Sequence, residues 1–223
     1  MAKNILCIAP HPDDETLGCG GTLLKHKEEG DNIYWLIVTG ISEEKGFSLS
    51  QIQHEQCIIK SVANAYNFSG VYQLGFPTMH LDTFPLVKIV NAIGEIVRST
   101  AANIIYLPFR NDAHSDHAVV FDAGAACTKS FRYPNVNSIL AYETLSETEF
   151  DIKPYGHGFR PNIFVDISNQ LEQKIKIMKI FDSEMGEFPF PRSEICLNAQ
   201  AQLRGSQVGR NAAESFMMLR ELR

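Results

Sequence analysis

The sequence predicts an α/β domain built on a largely parallel sheet. Three observations carry that prediction: near-continuous apolar runs of strand length recur, segments with helical apolar spacing separate them, and no repeat or low-complexity tract breaks the alternation. With 223 residues, 44% of them hydrophobic and 21% charged, the chain can bury one sizeable core. Residues 1–223 are expected to form a single domain.

Taken in order, "NILCIA" (4–9) and "NIYWLIV" (32–38) read as strands buried on both faces. Between them "TLGCGGTLLKHKEEG" (16–30) reads as a helix closed by a glycine, with His26 among solvated charges. Ile58, Ile59, Val62, Ala63 and Tyr66 recur at helical spacing within 50–66, and a short strand "VYQLG" follows. Leu86, Ile89, Val90, Ile93 and Val97 mark one face of a helix opening at Pro85. Next come a strand "NIIYLP" (103–108), a helix "HAVVFDAGAACTK", and two strands in "NSILAYE" and "NIFVDIS". "QLEQKIKIMKIF" (170–181) is helical by its spacing, and "EFPFPR" (187–192) is a rigid loop. The tail from 194 is expected to be helical in two pieces around Gly205–Gly209.

Composition excludes several function classes. The net charge of −6 comes with no basic run, which argues against nucleic acid as a partner. Five scattered cysteines without a C-x-x-C suggest reduced thiols rather than a disulfide framework or a cysteine-rich zinc site. The apolar run before Pro10 is too brief for a signal peptide, and no stretch approaches the ~18–20 apolar residues of a spanning helix. A soluble cytoplasmic protein is the expectation, with homo-oligomerisation left open.

The chemistry concentrates in two loops. "APHPDDE" (9–15) places His11, Asp13, Asp14 and Glu15 after the first strand, and "NDAHSDH" (111–117) places Asp112, His114, Asp116 and His117 after "NIIYLP". In open parallel sheets ligands bind outside the carboxyl ends of strands, so both loops belong to one edge. Crowded carboxylates repel unless a cation offsets them. One histidine and one carboxylate from the first loop, with one histidine from the second, make a three-ligand site of the catalytic zinc type. Zinc lowers the pKa of bound water to roughly 7. The other aspartate of the Asp13–Asp14 pair can then take the water's proton, and the spare histidine can serve the oxyanion or leaving amine. Spacing leaves open which aspartate does which. Asp13 or Asp14 could instead simply cap the following helix. Two histidines and a carboxylate also suit non-haem Fe2+, so an iron oxygenase is a rival reading. "GCGG" (18–21) lacks the third glycine of a dinucleotide loop at Leu23.

The same residues resemble the LmbE/PIG-L family of zinc-dependent N-deacetylases. The likeness rests on "APHPDDE" and "NDAHSDH", with weaker support from "GFPTMHLD" and "LRGSQVGRNAAESF" (203–216). It implies a Rossmann-like three-layer fold that removes the acetyl group from an N-acetylglucosamine-type sugar by zinc-hydroxide attack on the amide. By the family pattern His11, Asp14 and His117 hold the zinc and Asp13 is the general base. His114, oriented by Asp116, is the second catalytic group, and Asp112 fills another recurrent position and is a candidate substrate contact. An arginine that many members carry after the second strand is missing, leaving His54 as the nearby basic residue. Tyr142 or Tyr155 would stand for a late-loop tyrosine. Glu143 and Arg160 are candidate sugar contacts from their place beside strand ends, and His80 and His157 lie in loops that could reach the cleft. A binding module that keeps the metal but lacks turnover is the third reading. Asp13 and His114 would then have no purpose.

Overall fold

The computed structural model describes residues 2–152 and 158–223. Its strands and helices alternate from the first strand: β1 (Asn4–Ala9), α1 (Asp14–Glu28), β2 (Asn32–Gly40), α2 (Leu49–Tyr66), β3 (Gly70–Pro77), α3 (Leu86–Ser99), β4 (Ile104–Pro108), α4 (Ser115–Ala126) and β5 (Ser138–Tyr142). β6 (Ile163–Asp166), α5 (Leu171–Met178), α6 (Glu194–Ser206) and β7 (Ala213–Glu221) complete the order. Among the described residues the strands form one sheet in the order β3-β2-β1-β4-β5-β7-β6. β1 to β5 are parallel, while β7 runs antiparallel to both β5 and β6.

β1 shows why the sheet needs helices on both faces. Ile5, Cys7 and Ala9 join Leu17, Leu23, Val62, Tyr66 and Ile177 from α1, α2 and α5 in one apolar layer. Leu6 and Ile8 point the other way, to Ile89, Ile93 and Val97 of α3 and Val120 and Ala123 of α4. Side chains alternate along a strand, so a continuous apolar run serves two cores at once. The result is the expected three-layer arrangement.

"GCGG" proves to be helical and structural. It lies inside α1, where a Cβ at Gly18 would collide with the Tyr142 ring and one at Gly21 would come within 2.8 Å of Ile167. His26 is not solvated: its Nδ1 is 2.8 Å from Asp31 Oδ2 and its Nε2 3.0 Å from the Tyr106 hydroxyl. The tail is the main correction. Its first piece is α6, but 213–221 is a strand, because β7 fills the slot between β5 and β6 and is hydrogen-bonded along both sides. That pairing overrides the helical propensity of "AAESFMMLRE". Among the described residues no helix is long and apolar enough to cross a membrane, and all five cysteines are free.

Candidate active site

β1 is flanked by β2 and β4, so the chain winds one way from β1 through β2 to β3 and the other way through β4 to β5. The loops leaving β1 and β4 therefore diverge at the carboxyl edge, opening a crevice. His11 and Asp116 meet there across 105 positions of sequence, with Nε2 and Oδ2 3.1 Å apart.

The first loop is shaped by its backbone. The Thr39 amide and hydroxyl both bind the Pro10 carbonyl, anchoring the loop to β2. Asp13 then takes φ 139° and ψ −30°, outside the regions favoured by a residue with a Cβ. Such strain costs about 1–3 kcal/mol and gathers at functional sites. Asp13 precedes α1 yet makes no side-chain cap, so simple capping does not explain it. Glu15 serves the local structure instead, accepting from the Asp13 amide and the Thr16 hydroxyl. The strain leaves the Asp13 carboxylate on Arg192, with Nη1 2.7 Å from Oδ2.

Asp14 lies between two imidazoles. Its Oδ2 accepts the His11 amide at 2.8 Å and is 3.2 Å from His11 Nδ1, while its Oδ1 is 3.4 Å from His117 Nε2. The far nitrogen of each ring is held by another carboxylate. His11 Nε2 faces Asp116, and His117 Nδ1 is 2.7 Å from Asp112 Oδ2. Asp112 also accepts from Thr148, and Asp116 accepts the backbone amides of Met79 and Leu81. His114 opens α4 as its N-cap: the Asp116 amide donates to its Nδ1, which puts the proton of the neutral ring on Nε2.

The electrostatics follow from four carboxylates in a small buried volume: Asp13, Asp14, Asp112 and Asp116 are each at most 3% exposed. Burial, together with the charge of Asp14, pushes Asp13 up to about 8 despite Arg192. For Asp14 burial is outweighed by the adjacent His117 and His11, which hold its carboxyl well below the usual range. Burial disfavours imidazolium at His11 and His117 too. Asp116 and Asp14 nevertheless raise His11 to about 9, and Asp14 and Asp112 raise His117 to about 10. His114 falls to about 4 through burial and the neighbouring His11 and His117.

Among the described residues, two sets here have donor atoms close enough to share a cation: His11, Asp14 and His117, and His11, His114 and Asp116. Asp116 in the second set is the more heavily committed carboxylate: its two oxygens each accept a backbone amide and one also faces His11 Nε2, whereas Asp14 accepts the single amide of His11. A third group, His26, Glu29 and Asp31, has both imidazole nitrogens engaged.

The family model described as "PIG-L: GlcNAc-PI de-N-acetylase" matches residues 6–128, which include both loops. The chain belongs to the PIG-L family. Diacetylchitobiose deacetylase of Thermococcus kodakarensis is 27% identical over 96% of this chain and 82% of its own length. The solved N,N'-diacetylchitobiose deacetylase of Pyrococcus horikoshii superposes with a TM-score of 0.77 at 19% identity, covering 98% of this chain and 84% of that one. The fold is also that of a 4-carboxy-2-hydroxymuconate hydratase from Pseudomonas putida, with a TM-score of 0.75 at 14% identity, covering 99% of this chain and 98% of that one. A shared fold therefore does not fix the reaction.

Within this PIG-L domain a cavity of about 470 Å³ opens beside the two loops, lined in part by His11, Asp13, His54, His114 and Arg192. Several expected contacts prove otherwise. Asp112 is sealed behind His117 rather than facing a ligand. The Asp116 carboxylate orients His11, and only its amide touches His114. Glu143 pairs in bidentate fashion with Arg204 at 2.7 and 2.6 Å and accepts from Ser215, which takes it out of the cavity wall. Arg160 and His80 are exposed and do not line the cavity. Tyr142 is wholly buried with its hydroxyl on the Ile8 carbonyl. Tyr155 and His157 lie outside the described residues. His54 does reach the wall, with Nε2 3.2 Å from Asp182.

Four charged wall residues are not among the sequence candidates: Arg192, Glu184, Glu147 and Glu55. Arg192 comes from the end of "EFPFPR" and also binds Glu184 at 2.8 Å and Ser146 at 2.7 Å. Glu147 stands 3.5 Å from it. The only sequence signal was the unbalanced charge of the first loop, which demanded a cation without naming one.

Proposed function

We propose that the protein is a metal-dependent N-deacetylase that removes the acetyl group from an N-acetylated amino sugar. One observation carries the reading: the Asp14 carboxylate sits between the near nitrogens of His11 and His117, and each far nitrogen is fixed by a carboxylate. Metal-bound histidines characteristically hand their second nitrogen to such a partner, which sets the tautomer and aims the lone pair. The donor set fits a divalent ion, and His11, Asp14 and His117 are the residues that would hold it. Two imidazoles and one carboxylate suit Zn2+ and also Fe2+. Such an ion supplies Lewis acidity, polarising a carbonyl and easing the loss of a proton from water.

The remaining groups divide the proton work. Asp13 is the general base, held in place by Arg192 and its strained backbone. It takes the proton from the attacking water as the C–O bond forms. His114 donates from Nε2–H to the carbonyl oxygen as that oxygen gains charge. Asp13 then returns the proton to the amide nitrogen, the C–N bond breaks, and a free amine leaves with acetic acid, whose remaining proton passes to solvent or the amine to give acetate. The acetyl carbon keeps its oxidation state, so no electron acceptor is needed.

The family description and the diacetylchitobiose deacetylase relative support an N-acetylated sugar as substrate. The deciding experiment measures bound metal and acetate release from a panel of N-acetylated sugars, before and after chelation. Acetate release that stops with chelator and returns with Zn2+ is expected. Oxygen consumption without acetate would move the protein to the iron oxygenases, and sugar binding without product would make it a binding module.

A further inference from the structure

The charge of the cavity wall points to what the acetylated unit is attached to. Four carboxylates line the cavity, Asp13, Glu55, Glu147 and Glu184, against the single guanidinium of Arg192. That guanidinium is already shared among Asp13, Glu184 and Glu147. The imidazole of His54 is likewise engaged by Asp182. Glu55, on α2, is approached by the Ile41 amide and has no ion pair with a basic side chain among the described residues. Among the described residues of the wall, the two basic side chains besides the site histidines, Arg192 and His54, are thus already paired with carboxylates.

The apolar part of the wall has a different use. Phe47, Ile58 and Phe181 line the same cavity and offer surfaces to the hydrocarbon faces of a sugar ring. At about 470 Å³ the cavity lies within the ~300–1,000 Å³ of small-molecule sites, so it admits more than a bare acetamide.

We propose that this site selects N-acetylated sugars whose remainder is neutral or carries an amine, and rejects those joined to phosphate or a nucleotide. The proposal rests on the deacetylase reading above. An ammonium on a neighbouring sugar would find Glu55 or Glu184 as its counter-ion, whereas a phosphate would be driven from a wall with surplus negative charge.

The test compares acetate release by the zinc-loaded protein from N,N'-diacetylchitobiose, from its mono-deacetylated amine, and from N-acetylglucosamine 1-phosphate. The neutral and amine-bearing sugars are expected to exceed the phosphate in kcat/KM by about tenfold or more, and the gap should narrow in high salt. Glu55→Gln should shrink that gap severalfold. A phosphate ester processed as well as the neutral sugar would overturn the proposal, as would a gap indifferent to both salt and Glu55→Gln. No acetate from any sugar would sink the deacetylase reading instead. The charge preference is then decided by calorimetry with glucosamine and glucosamine 6-phosphate, where equal or tighter binding of the phosphate overturns it.

Discussion

Arg192 Nη1 lies 2.7 Å from Asp13 Oδ2, joining two residues 179 positions apart. The same guanidinium bonds Glu184 and Ser146, so it is fixed from several sides. Arg192→Gln is expected to free Asp13 from its geometry and lower kcat by about 10²-fold, the cost of displacing a reacting group by an ångström. Bound zinc should stay unchanged and Arg192→Lys should recover part of the rate. A variant with normal kcat and only a raised KM would make Arg192 a substrate contact.

Asp13→Asn removes the base but leaves His11, Asp14 and His117 in place. Acetate release should fall by about 10²–10⁴-fold, while metal analysis gives the wild-type zinc content. Loss of zinc from this variant would mean that Asp13 and Asp14 have been assigned the wrong way round.

Asp112 and Asp116 act on the histidines from behind. Asp112→Ala and Asp116→Ala should each weaken zinc affinity by about 10–100-fold, measured by competition with a chelator. The Asp116 variant also strips the acceptor from the amides of Met79 and Leu81, so it should loosen that loop as well. Unchanged zinc affinity in both variants would remove the main support for the metal assignment.

Glu143 and Arg204 form a bidentate pair away from the cavity, so their role is structural. Arg204→Ala leaves the Glu143 carboxylate, 8% exposed, with the Ser215 hydroxyl as its one side-chain partner among the described residues. Breaking a pair of this kind costs about 3 kcal/mol. For a chain of this length that is a fall in Tm of about 6–12 °C, with KM unaffected. A change in KM at constant Tm would return Glu143 to the sugar site.

Much of the site was legible because it is local. "APHPDDE" and "NDAHSDH" each pack their chemistry into seven residues at the end of an apolar strand, and parallel strands must share a carboxyl edge. Which residue faces which was not legible. The carboxylate of Asp116 reaches back to His11 rather than to its neighbour His114, because His114 spends its Nδ1 on capping α4. The place of Glu143 after β5 suggests a ligand contact, but β7 and α6 close over it with Ser215 and Arg204.

The sequence by itself determined the α/β alternation, the two-sided core of β1 and the pair of loops that carry the histidines and aspartates, since each depends on periodicity or short spacing. Only the tertiary structure decided that β7 inserts antiparallel between β5 and β6, that Arg192 stands on Asp13, and that α2 and the 181–192 segment wall the cavity with carboxylates. Those outcomes join elements far apart in the chain. Local spacing holds no record of distant neighbours, and only the packing of the whole sheet brings them within bonding distance.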